Sequence, residues 1–139
     1  MTADPEGLGR RIAQRYVVRG LRPKPSELAR NLGVEVVEAA APPPAQPTLR
    51  AEYQADPPRI TLYRATLAQL SAAIHANQRF DMLACSLEEV HLAHELFHHL
   101  EFGGRFGPLR PGEVEAAAQA FARELCELRF DPEELSALG

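Results

Sequence analysis

Hydrophobic positions along the chain follow a helical period in some stretches and a strand period in others. Over residues 6–20, Leu8, Ile12, Tyr16 and Arg19 recur at spacings of three and four, one face of a helix that Gly20 can stop. Pro25-Ser26-Glu27 opens a second, short helix with Leu28, Ala29 and Leu32 facing inward. Gly33 ends it and Val34-Glu35-Val36-Val37 follows as a strand. Residues 39–47, dominated by Ala and Pro, predict a loop or short linker, because proline cannot donate to a helix or a ladder. Residues 49–54 and 59–63 alternate as strands around Ala55-Asp56-Pro57-Pro58, which predicts a hairpin and, with 34–37, a sheet of about three strands. Thr66 to Ala76 has helical spacing through Leu67, Leu70 and Ile74, whereas residues 77–85 are ambiguous.

Ser86-Leu87-Glu88-Glu89 is a capping box in which serine hydroxyl and Glu89 carboxylate each satisfy the other's backbone donor. It predicts a helix over 87–102, broken by the glycines and proline of 103–108. A further helix is expected over 112–128, and Asp131-Pro132 restarts a last short turn. Together the pattern predicts an α+β fold: a small three-stranded sheet with helices.

Composition narrows this picture. The 139 residues suit one domain, 1–139, with no separate DNA-binding or sensor domain expected. A formal net charge of -4 argues against a nucleic-acid groove. There is no apolar run of signal-peptide or membrane-spanning length, so a cytoplasmic protein without membrane contact is expected. Cys85 and Cys126 form no Cys-x-x-Cys pair and read as reduced, mostly buried thiols.

The chemistry is concentrated in His94-Glu95-Leu96-Phe97-His98 on the capped helix. Spacing of four puts both imidazoles on one face, where they can share one Zn²⁺. Glu95, rotated by about 100°, suits the role of general base toward a water that zinc has acidified. A catalytic zinc needs a third protein ligand and an open position. The extended motif with a downstream glycine and third histidine is closed, since those positions hold Glu101 and Gly104. A carboxylate from the next helix remains, and Glu113 and Glu115 are both candidates.

Val90-His-Leu-Ala-His-Glu-Leu-Phe-His-His-Leu, followed by Glu115-x-x-Ala118-x-x-Phe121-Ala122, resembles the ImmA/IrrE metallopeptidases. The resemblance covers about residues 28–128. It implies a zincin-like, gluzincin-like arrangement with one Zn²⁺ per chain, Glu115 as third ligand and Glu113 as a solvated first-turn carboxylate. It also implies a regulatory zinc endopeptidase that cleaves a helix-turn-helix repressor after stress or in a mobile element. Glu115, Gln119, Ala122 and Cys126 share one helical stripe, so Gln119 can accept from the far ring nitrogen of a ligating histidine. The family usually has Asn or Asp there. Phe97 and Cys126-Glu127-Leu128 also depart from its pattern and are expected to reshape the substrate cleft.

Other residues carry weaker readings. His91 is a candidate neighbour of the metal site, or a partly buried helix histidine; His99 and His75 are assigned no role. Tyr53 and Tyr63 could steady an oxyanion or simply pack in the core. The loop 103–112, flanked by Phe102, Phe106 and Leu109, is the expected cleft edge. Residues 26–34 superficially match half of a helix-turn-helix, but a strand follows where the recognition helix should be, so direct DNA binding is not expected. The competing function is a zinc-bound, non-proteolytic partner-binding module. The presence of Glu95 argues against it, and a fourth ligand such as His91 would favour it.

Overall fold

The computed structural model describes residues 4–76, 86–104, 109–128, 132 and 134. Its first helix, α1 (Pro5–Gln14), is started by Asp4, whose carboxylate accepts the Gly7 N–H at 3.0 Å. The helix stops well short of the expected Gly20. Val17 and Val18 are poor helix formers, and Arg19 (φ 56°) and Gly20 (φ 77°) make a tight turn closed by two 3.0 Å bonds between Val18 and Leu21. Arg19 therefore lies in an exposed turn, not on the apolar helix face.

The second helix, α2 (Pro25–Asn31), buries Leu28 and Ala29. Gly33 at φ 76° turns the chain into β1 (Glu35–Ala39), so a strand does occupy the place of a recognition helix. Next come β2 (Ala51–Ala55) and β3 (Pro58–Tyr63), joined antiparallel as a hairpin. The strand order is β1-β3-β2, with β1 parallel to β3, so both outer strands pair with the central β3.

Helix α3 (Arg64–His75) follows directly, and then α4 (Leu87–Phe102) and α5 (Pro111–Leu125). Ser86 caps α4 as expected, accepting the Glu89 N–H at 3.2 Å. The Glu89 carboxylate does not return the bond. It accepts the Ser26 N–H at 2.9 Å, at the start of α2, where Lys24 makes no side-chain cap. Helix α5 ends at Leu125, three residues before the expected Leu128. Glu127 adopts a left-handed φ of 54°, and the Leu128 N–H reaches the Arg123 carbonyl at 3.0 Å, the pattern of a Schellman stop made without glycine.

Helix α4 is the hub. It packs against α5, α2 and the β2–β3 side of the sheet, while α1 covers the far side of α5. Phe97, Phe121, Ile60, Leu70, Leu96 and Leu100 are the largest fully buried side chains. The ambiguous stretch 77–85 with Cys85, the loop residues 105–108 with Phe106, and Asp131 lie outside the described residues. Among the described residues, no helix is long and apolar enough to cross a membrane.

Candidate metal centre and its cleft

Burial of Val90, Ala93, Leu96, Phe97 and Leu100 sets the rotation of α4 about its axis. His94 and His98, one turn apart on another face, consequently point the same way, and their Nε2 atoms stand 3.3 Å apart. On α5, burial of Val114, Ala117, Ala118 and Phe121 does the same. Phe97 and Phe121 pack ring to ring with centroids 5.7 Å apart and hold the two helices together.

That docking decides between the two carboxylates. Glu115 places Oε2 at 3.1 Å from His94 Nε2 and Oε1 at 3.2 Å from His98 Nε2. Glu113, two residues earlier and so about 200° around the helix, caps α5 by accepting the Arg110 N–H at 3.0 Å. Four atoms with lone pairs, two imidazole nitrogens and the two Glu115 oxygens, thus converge, with contacts of 3.1, 3.2 and 3.3 Å between them. Donors at roughly 2.0–2.2 Å around a tetrahedral ion stand about 3.3–3.6 Å from one another, so contacts of this size suit Zn²⁺. Two imidazoles and a carboxylate are also zinc's ordinary donor chemistry.

Burial pushes the His94 pKa down, but hydrogen bonding of the ring to Glu115 and Gln119 as acceptors and the charges of Glu95 and Glu115 outweigh it, so the net shift is upward. The His98 pKa is lowered, by burial first and by His94 second. The Glu115 pKa is lowered, chiefly by its hydrogen bond to His94. The donors of His94, Glu95 and His98 lie within 4.8 Å of one another, and each Glu115 oxygen stands within 3.2 Å of one of the two histidine nitrogens. Glu95 belongs to the same cluster of donors. Its pKa is raised by burial, which His94 opposes.

Gln119 lies close enough to the His94 ring to raise its pKa as a hydrogen-bond acceptor would. His91 does not join the donor cluster. Its Nδ1 faces the Leu87 carbonyl at 2.9 Å, and burial holds its pKa down at about 4. The Tyr53 hydroxyl pairs with His99 Nδ1 at 2.7 Å, and Tyr63 donates to Glu52 at 2.9 Å. Neither tyrosine lines the cleft, so the oxyanion role expected for them finds no support in their placement. His75 is exposed at the end of α3.

The site opens on a cleft of about 680 Å³ with Val90, His91, His94 and Glu95 of α4 and Glu115 and Gln119 of α5 on one side. Its opposite wall was not anticipated. The chain from Ala45 to Ala51, expected in part to be a plain linker, supplies it. Turn bonds from Gln46 N to Pro43 O (2.9 Å) and Leu49 N to Gln46 O (3.1 Å) give that stretch its form, and the buried Thr66 hydroxyl donates to the Leu49 carbonyl at 2.7 Å. A Pro-rich run between two strands carried the signal, but only the Thr66 contact turns it into a wall. The expected edge at 103–112 contributes no described residue to the lining, and residues 105–108 of it are undescribed. Phe97 faces Phe121 in the core, and Cys126 and Glu127 line a separate small pocket beside Arg22, so none of the three shapes this cleft. No protein-family model, curated protein or solved structure matches the chain.

Proposed function

We propose that this chain is a cytoplasmic zinc-dependent endopeptidase of the ImmA/IrrE kind, whose protein substrate is a helix-turn-helix repressor. One observation carries the reading: His94, His98 and Glu115 bring their donor atoms within 3.3 Å of one another's, with Glu95 in the same cluster, on a cleft large enough for a peptide. The repressor is named on the sequence resemblance alone.

His94, His98 and Glu115 would hold the ion, and His94 and Glu115 also line the cleft. Bound zinc supplies Lewis-acid polarisation and makes a nearby water acidic. Glu95 takes a proton from the attacking water and returns it to the leaving amine. Burial, which raises its pKa, suits a group that must accept and then release a proton near neutral pH. Gln119 holds the His94 ring in the orientation that aims Nε2 at the ion; such partners contribute about 10–100-fold to metal affinity.

Metal analysis of the purified protein should find one zinc per chain, lost in His94→Ala and in Glu115→Ala. Added zinc should raise the melting temperature of the wild type alone. Glu95→Gln should retain zinc and lose cleavage of a co-expressed repressor. A wild-type protein that takes up no zinc overturns the reading. Cleavage that survives Glu95→Gln overturns the assignment of the base.

A further inference from the structure

The cleft is electrostatically two-sided. Its helical side carries Glu95 and Glu115, and its opposite wall carries Arg50, which alone among the described lining residues is an Arg or Lys. Three successive residues tie that wall down. Leu49 O accepts from Thr66, Arg50 O accepts the Tyr63 N–H at 2.9 Å, and Ala51 pairs with Leu62 as β2 begins. Arg50 is therefore carried on backbone anchored to α3 and β3, which fixes where its side chain starts from.

The surroundings favour a strong polar contact there. Arg50 is half-buried, and burial lowers its pKa, so water competes less well for its donors. Pro47, Leu49 and Val90 add apolar lining. His91, close enough to feel the Arg50 charge, stays uncharged with Nδ1 turned to the Leu87 carbonyl. A planar guanidinium matches a carboxylate with two parallel N–H···O bonds.

We infer that Arg50 is the specificity residue of this cleft and selects peptides that carry a carboxylate beside the bond presented to Glu95. That carboxylate belongs either to an Asp or Glu side chain or to the peptide's own C-terminus. The step from binding to cleavage rests on the hydrolytic reading above; the binding does not.

Binding is measured on Glu95→Gln protein, with and without added zinc, by fluorescence anisotropy, using labelled Ala/Leu hexapeptides. One Glu or Gln is moved through the peptide, and each is made with a free or an amidated C-terminus. The carboxylate form should bind at least about tenfold more tightly than its amide, the factor a charge-assisted hydrogen bond supplies. The Glu/Gln and free/amidated arms tell the two sources apart. The gap should vanish in Arg50→Met, shrink in Arg50→Lys, which keeps the charge without the fork, and turn toward Lys-bearing peptides in Arg50→Glu. Equal binding of charged and neutral peptides, a gap that survives Arg50→Met, or no binding of any peptide overturns the inference. The Glu/Gln comparison requires no Arg50 variant, so a misfolded one leaves it decisive. Carboxylate-selective binding without cleavage by the Glu95-bearing protein sinks the hydrolase and spares Arg50; cleavage without preference does the reverse.

Discussion

Gly9→Ala pits two effects of known size against each other. In an isolated helix the change stabilises by roughly 0.5–1 kcal/mol, because alanine loses less backbone entropy than glycine. In this fold Gly9 is where α1 meets α5. An added Cβ would overlap the Ala117 carbonyl oxygen, with Phe121 N at 2.9 Å and the Ala117 carbonyl carbon at 3.0 Å. All three are backbone atoms, so no side chain can swing aside. Restoring ordinary contact needs a shift on the order of 1 Å, and overpacking of this kind costs about 1–3 kcal/mol. Overlap with main chain belongs to the upper half of that range, which leaves a net loss of about 1–2 kcal/mol and a melting temperature lower by roughly 3–8 °C. The same substitution at Gly112, near the start of α5, meets nothing within 4 Å and should be neutral to stabilising. Thermal unfolding of both variants, in metal-free protein, checks the sign. Helix α5 is also held by α4 through Phe97 and Phe121, whereas α1 packs chiefly on α5. So α1 should yield, and zinc uptake at Glu115 should survive. A Gly9→Ala protein as stable as wild type, or as Gly112→Ala, would refute close helix packing at Gly9.

Two further outcomes follow from named contacts. Glu89→Ala removes the carboxylate that caps α2 from another helix and should cost about 1–2 kcal/mol in urea unfolding, with Glu89→Gln losing less; no loss would show that α2 needs no cap. His91 has its pKa held at about 4 in the fold against the 6.5 of an ordinary histidine, so between those values the unfolded chain binds the proton first. Its contribution is present in full above pH 6.5 and declines as pH falls toward 4, by a total on the order of 3 kcal/mol. The neighbouring Arg50, His94 and Glu88 charges act on the same ring. Metal-free wild type should therefore lose stability faster over that window than His91→Gln does, and parallel pH profiles for the two would contradict the burial of His91.

Local sequence was sufficient wherever the geometry lies within one element. Four residues of helix between His94 and His98 put their rings side by side whatever surrounds them, and Ser86 marks the start of that helix because its hydroxyl meets an N–H three residues away. The hairpin and the short α2 were legible for the same reason. Tertiary packing decided what spacing leaves open. Glu113 and Glu115 are equally good carboxylates in sequence, and burial of Ala117, Ala118 and Phe121 turns Glu115 toward the histidines while Glu113 is used by the α5 cap. Glu89 looked like half of a capping box, but α2 lies close enough to take its carboxylate. The Ala/Pro stretch looked like a linker until Thr66, across the hairpin, held Leu49 and presented Arg50 to the cleft. The physical difference is range. Helix and strand periods fix directions within an element, whereas the partner of an outward-facing carboxylate or guanidinium depends on how non-local apolar faces dock.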